Sequence, residues 1–254
     1  MSNSTPARPV CLVTGGAKRL GRAIVTALAQ DFDLAIHANH SRDEAQALAA
    51  ELQAHGARTL VLQADFSDPE AAAGVVERAA SALGRLDLVV NSASLFEYDT
   101  AQDFDVAQMR RLLDINLVAP MVVARAFAQF GSPQATLINM LDNKLFAPNP
   151  DYFSYSLAKF ALKGATDMLA QQFRQRMRVC GIAPGVTLIS GNQTQENYEK
   201  SWRHSLTGAG ATPDDIANAV RFIWNTKSLN GETIVLDGGQ RLLSMDRDVA
   251  FLSE

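Results

Sequence analysis

Seven short runs of this chain are almost wholly apolar, and longer segments with helical periodicity lie between them. The runs are residues 10–13, 34–36, 60–62, 86–90, 135–139, 179–182 and 233–236. Helical patterns fill 22–30, 43–54 and 69–83. A strand with one wet face alternates apolar and polar side chains, so runs apolar on both parities belong to strands covered on both faces. Intervening helices supply that cover and the crossovers that parallel pairing needs. The pattern predicts an α/β fold, a Rossmann-type doubly wound parallel sheet flanked by helices, in one domain over residues 1–254. Such sheets take ligands at the carboxyl ends of their strands. The polar stretch 187–212 is the least periodic and follows a strand end. It reads as a lid over a substrate or as a plain surface insertion.

Composition limits the partners. A net charge of −4 gives no attraction for nucleic acid or an anionic membrane. No uninterrupted apolar run is long enough to span a bilayer. After Arg8 the apolar stretch is short and reads as a first strand rather than a signal peptide, so a cytoplasmic location is expected. Cys11 and Cys180 sit in strand-like runs and read as buried thiols. The expected partner is a small-molecule substrate.

The first strand runs into Thr14-Gly15-Gly16-Ala17-Lys18-Arg19-Leu20-Gly21. Gly15 permits a tight turn and Gly21 opens a helix. The helix N-terminus offers free N–H groups and a positive dipole to a pyrophosphate. The middle glycine of a G-x-G-x-x-G pattern is replaced by Arg19, a cation for the pyrophosphate or for an anionic part of the substrate. The second strand ends in His37-Ala38-Asn39-His40-Ser41-Arg42, with no carboxylate to hold a ribose 2′-hydroxyl. With Lys18 close by, His40 and Ser41 suit a 2′-phosphate, so the cofactor is expected to be NADP(H). Ser41 is also a candidate N-cap for the next helix. Asp65-Phe66, after the third strand, is placed to meet the adenine. Asn91-Ser92-Ala93-Ser94, after the fourth, lies where its backbone would line the cofactor.

Tyr155 and Lys159 stand one helical turn apart in Tyr155-Ser156-Leu157-Ala158-Lys159. A phenol with a pKa near 10 is a poor acid–base catalyst at neutral pH, and a nearby cation brings it toward the working range. With the glycine turn, Asp65, Asn91, Asn116 in Ile115-Asn116-Leu117, and Pro184-Gly185, this pair makes nearly the whole chain resemble the short-chain dehydrogenase/reductase family. The resemblance implies that Tyr155 donates a proton, that Lys159 binds the nicotinamide ribose and lowers the Tyr155 pKa, and that Asn116 supports a water-mediated relay. It also implies a homotetramer or homodimer.

Most of that family has a serine thirteen residues before the tyrosine; here the position is Asp142. An ionised carboxylate cannot donate a hydrogen bond to a substrate carbonyl. Beside a C=N bond it stabilises the protonated nitrogen, so Asp142 favours imine-type reduction. The substitution is similar to the pteridine reductase branch, as are Lys18-Arg19-Leu20-Gly21 and Ala93-Ser94-Leu95-Phe96. That resemblance implies a pterin-like substrate contacted by Arg19, Ser94, Phe96, Asp142 and Tyr155, with Phe96 stacked on its ring. As alternatives, Phe96 is a core aromatic, and Trp202 either closes over a substrate or anchors a helix. The rival activity is a ketone or 3-oxoacyl reductase. The non-enzymatic rival is an NADP-sensing regulatory protein. The segment 143–152 matches no assigned pattern, and the apolar tail 242–251 either reaches a neighbouring subunit or folds back on its own.

Overall fold

The computed structural model describes residues 8–191 and 193–252. Position 192, inside the expected lid, lies outside the described residues. The chain alternates strands β1 (Val10–Thr14), β2 (Asp33–Ala38), β3 (Thr59–Gln63), β4 (Leu88–Asn91), β5 (Ala135–Met140), β6 (Met177–Pro184) and β7 (Thr233–Leu236) with helices. The helices are α1 (Arg19–Leu28), α2 (Arg42–Ala54), α3 (Ala71–Leu83), α4 (Val106–Leu113), α5 (Ala119–Phe130), α6 (Phe153–Gln172), α7 (Gln195–Arg203) and α8 (Pro213–Asn225). A π-helical segment, Asp114–Val118, joins α4 to α5. The expected doubly wound sheet forms: every pairing is parallel and the order is β3-β2-β1-β4-β5-β6-β7.

The sheet is apolar on both faces because each face has its own core. Cys11 and Val13 of β1 pack on one side with Ile24, Leu28, Leu48 and Ile223; Val10 and Leu12 pack on the other with Val75, Val76, Val123 and Phe127. Each fully buried leucine or isoleucine contributes roughly 1.5–3 kcal/mol, so a one-residue slip of a central strand would exchange two complete cores. Cys11 and Cys180 are free and buried, and burial raises both thiol pKa values. The helical stretch Val106–Phe130 is long and apolar enough to cross a membrane by length and composition, but half of it is buried against the fold, the situation of a core helix.

The order reverses beside β1: β2 and β3 build outward on one side, then the chain crosses to β4 on the other. Such a switch opens a crevice above the carboxyl ends of the two strands, the usual ligand position in open α/β sheets. The Thr14 hydroxyl spans this point, accepting the N–H groups of Ser92 and Ala93 at 3.0 Å each.

The two loosely patterned segments find partners in each other. Residues 245–251 fold back over 143–152 of the same chain, through Lys144–Asp248 at 2.9 Å and Arg247–Asp151 at 2.8 Å. Within 187–212, α7 forms with Thr194 as its cap, whose hydroxyl accepts the Asn197 N–H.

Candidate active site

A cleft of about 1350 Å³ opens above the switch point. Its lining includes Gly15, Lys18, Arg19, Leu20, Gly21, Ser92, Ala93, Ser94, Phe96, Asp142, Tyr155, Lys159, Pro184 and Gly185, so the cleft gathers residues spread along the chain from Gly15 to Gly185. Thr187, Leu188, Ser190 and α7 residues Glu196, Asn197 and Lys200 also line it.

The glycine loop is shaped for close approach. Gly15 has a left-handed backbone (φ +63°), and a Cβ on Gly21 would lie 2.1 Å from the Gly15 carbonyl oxygen. Arg19 keeps a left-handed φ of 52° although it carries a side chain, at an expense of roughly 1–2 kcal/mol. Its guanidinium donates to Ser190 Oγ at 3.3 Å, linking the glycine loop to the segment that follows β6. The position before α1, Lys18, supplies no side-chain cap, so first-turn N–H groups are left for an acceptor in the cleft, which Leu20 and Gly21 line. A pyrophosphate fits this cradle in size and sign. The loop is braced from beneath by His37: the Gly15 N–H donates to Nδ1 at 3.2 Å, so Nε2 carries the proton and donates to the Ala64 carbonyl at 3.1 Å. Burial pushes this imidazole down to about 4.

Several expected cofactor contacts are placed differently. Ser41 sits at the N-cap of α2 but makes no side-chain cap; Asp43 and Glu44 supply the negative charge of the first turn. The Lys18 ammonium lies 2.6 Å from Glu44, so a 2′-phosphate would have to compete for it. His40 is exposed, and His40, Ser41, Asp65 and Phe66 lie outside the lining of the cleft. The Phe66 ring is buried and stacks on His37 at 4.0 Å, which leaves its backbone, not its ring, for an adenine. The Asn91 side chain is engaged elsewhere, its amide donating to Asn139 Oδ1 at 2.8 Å in a buried chain that continues to Thr166, while Ser92, Ala93 and Ser94 of the same segment line the cleft.

The chemical end is tighter. Tyr155 and Lys159 lie near the start of α6, both buried. Asp99, from a distant loop, caps that helix: its Oδ1 accepts the Ser154 N–H at 3.0 Å and its carbonyl accepts the Phe153 N–H at 3.1 Å. The Tyr155 hydroxyl donates to Asp142 Oδ2 at 2.8 Å, and Asp142 Oδ1 accepts the Lys144 N–H at 2.9 Å. The Lys159 ammonium donates to the Met140 carbonyl at 2.7 Å and stands 5.6 Å from the centre of the Tyr155 ring. The expected lowering of the Tyr155 pKa by Lys159 is not what this geometry produces. Burial first, then the adjacent Asp142 charge, push the phenol well above its ordinary 10. Burial likewise raises the Asp142 carboxyl, against the pull of the Lys144 N–H and charge, and lowers the Lys159 ammonium to about 8. Tyr155 therefore holds its proton, with a carboxylate fixed on its hydroxyl.

Asn116, in the π-helical segment, is fully buried. Its side-chain oxygen accepts Ser94 Oγ at 2.6 Å and the Leu95 N–H at 3.3 Å, and its amide donates to the Leu95 and Leu112 carbonyls. The side chain thus holds the segment that carries Ser94 and Phe96, and both its amide hydrogens are engaged. Phe96 is 39% exposed, which excludes the core alternative. It stacks on Tyr152 at 4.0 Å and meets the Tyr155 ring edge-on at 4.7 Å. Trp202 does not face the cleft: its indole donates to the Ala211 carbonyl and packs against Gly210, anchoring α7. Sequence reasoning missed Tyr98, Lys144, Tyr152 and Phe251, which line the same cleft. Lys144 and Tyr152 lay in the stretch without an assigned pattern, and no local spacing links either to Phe251.

A profile of the family described as short chain dehydrogenase matches residues 9–200. The chain is 28% identical to pteridine reductase 1 of Leishmania tarentolae, over 94% of this chain and 98% of that one. It is 29% identical to 3-alpha-(or 20-beta)-hydroxysteroid dehydrogenase of Mycobacterium tuberculosis, over 91% and 88% of the two chains. Among solved structures, FolM alternative dihydrofolate reductase 1 from Brucella suis in complex with NADP superposes with a TM-score of 0.89 at 37% identity, covering 94% of this chain and 96% of that one.

Proposed function

The chain belongs to the short-chain dehydrogenase family, and we propose that within it the protein is an NADPH-dependent reductase of a pterin-like substrate, a dihydropterin, dihydrofolate or biopterin. The observation that carries this reading is the 2.8 Å bond from the Tyr155 hydroxyl to Asp142. A carboxylate beside a phenolic donor suits a C=N bond, whose nitrogen becomes more basic as the carbon accepts hydride. Similarity to pteridine reductase 1 and to an alternative dihydrofolate reductase solved with NADP supports both the substrate class and the cofactor.

NADPH, when bound, supplies the hydride. Gly15, Gly21 and the N–H groups of the first turn of α1 hold its pyrophosphate, and Lys159 holds a ribose hydroxyl. Phe96 offers the exposed face of its ring to the flat substrate. Arg19 and Ser94 bind polar edges of that ring. Tyr155 gives its hydroxyl proton to the ring nitrogen, the Asp142 carboxylate stabilises the cationic nitrogen, and the phenol regains its proton from solvent. Hydride and proton together convert C=N to CH–NH. General acid contributions of this kind are worth roughly 10²–10⁴-fold in rate.

A second reading, reduction of a ketone, rests on the raised pKa of Asp142 and on similarity to a hydroxysteroid dehydrogenase. A protonated carboxyl donates a hydrogen bond as a serine hydroxyl does. NADPH oxidation with dihydrobiopterin, dihydromonapterin and dihydrofolate, against a panel of ketones, separates the two in wild type and Asp142→Ser. Pterin turnover that drops at least about 100-fold in the variant, with NADPH affinity retained, is the expected result. Ketone turnover alone, kept or improved by serine, would overturn it. Tight NADPH binding with no turnover at all would favour a cofactor-sensing role.

A further inference from the structure

Tyr152 is a bulky residue in a left-handed conformation, φ 55° and ψ 51°, immediately before the helix that carries Tyr155. Such a backbone is unfavourable for any side chain and persists only where its surroundings enforce it. Here they do so from several sides. The Phe96 ring stacks on the Tyr152 ring at 4.0 Å with 18° between planes. Tyr98 meets it edge-on at 5.2 Å, and the Lys144 ammonium stands 4.9 Å from its centre.

The C-terminal strap 245–251 closes this arrangement. Lys144 is buried, and its three ammonium hydrogens have three acceptors: Asn149 Oδ1 at 3.0 Å, the Asp151 carbonyl at 2.9 Å and Asp248 Oδ2 at 2.9 Å. The Asp151 carboxylate, 1% exposed, accepts from Arg247 Nε and Nη2, from the Asp248 N–H at 2.7 Å and from the Tyr98 hydroxyl at 3.1 Å. Each buried charge of the 143–152 loop thus meets its counter-charge on the strap. Removing one partner of a buried pair leaves the other uncompensated, so loop and strap hold their places together.

We propose that Tyr152 is a specificity-determining residue and the strap its positioning element. Tyr152 backs the Phe96 ring, which stays 39% exposed and lines the cleft, and so holds it as a fixed, flat surface for the substrate ring. Arg247 lies outside the lining of the cleft and acts on the substrate through this contact. This inference rests on the pterin reading and adds the element that selects a planar ring over a compact or puckered substrate. A platform used equally in the ground state and the transition state changes KM more than kcat.

The test uses the full-length protein with Tyr152→Gly, Tyr152→Phe, Arg247→Ala and Arg247→Lys. Glycine is at home in the left-handed region, so Tyr152→Gly removes the backing ring without imposing backbone strain. Its KM for dihydrobiopterin rises at least tenfold, while the Kd for NADPH stays within twofold and shows that the fold persists. Tyr152→Phe keeps the ring and behaves as wild type. Arg247→Ala raises the same KM, and Arg247→Lys restores part of it. Wild type that turns over dihydrobiopterin with a KM unmoved by Tyr152→Gly would overturn the platform alone. Wild type without pterin turnover would overturn the substrate reading and the platform with it.

Discussion

Acidification tests the brace beneath the glycine loop. The His37 imidazole is buried, with an acceptor nitrogen toward the Gly15 N–H and a donor toward the Ala64 carbonyl. Protonation would place two donors face to face at Nδ1 and put a charge in the core. Its pKa is accordingly lowered from 6.5 to about 4, by burial first, while the Ala64 carbonyl opposes the change. Between these values the unfolded chain binds a proton that the folded chain refuses, so stability rises with pH across the window. The contribution is complete above about 6.5, is lost progressively as pH falls, and is fully gone below about 4. At ~1.4 kcal/mol per pH decade the total is about 3 kcal/mol. Urea denaturation from pH 7 to 4, for wild type and His37→Asn, isolates the effect, because their difference cancels every other titrating group. Asparagine keeps an acceptor near the Nδ1 position and does not titrate. The wild-type curve should fall relative to the variant by about 3 kcal/mol, and NADPH affinity should weaken over the same range as the loop loses its brace. Parallel curves, or an imidazole resonance titrating near 6.5 in the folded protein, would refute the reasoning.

Gly21→Ala should weaken NADPH binding at least about tenfold and lower stability by about 1–3 kcal/mol, because the new Cβ meets backbone 2.1 Å away; isothermal calorimetry and thermal melts measure both. Arg19→Gly should leave stability unchanged or raise it by up to about 1 kcal/mol, since its φ of 52° suits glycine, while the KM for pterins rises in steady-state assays. Asp99→Ala should cost about 1 kcal/mol or more and lower kcat, because it uncaps the helix carrying Tyr155. Asp99→Asn, which keeps the accepting oxygen, should recover most of both.

Much of this architecture is legible locally. Val10 to Val13 is apolar on both parities, which calls for cover on both faces, and two distinct cores provide it. The glycine turn and the Tyr155–Lys159 spacing are short-range signals, and both line the cleft. Side-chain engagement was less legible. Ser41 stands at a helix start, but capping depends on the rotamer and on competing charge from Asp43 and Glu44. Trp202 is near the cleft in sequence terms, yet its indole is spent on Ala211. Asn91 and Asn116 occupy family positions, but Asn91 is committed to Asn139, 48 residues away, and Asn116 to Ser94 and Leu95, 22 and 21 residues away, as well as to Leu112 in the preceding turn.

The sequence by itself determined the sheet, the turn at the switch point and the residue types of the chemistry, because periodicity and i to i+4 spacing act over a few residues. Tertiary structure alone decided what those groups experience. It raised the Tyr155 pKa through burial beside Asp142, withdrew Phe66 behind His37, and joined Lys144, Tyr152 and the tail, about 100 residues apart, into one wall. Desolvation and charge pairing depend on everything that surrounds an atom, and those neighbours come from distant chain.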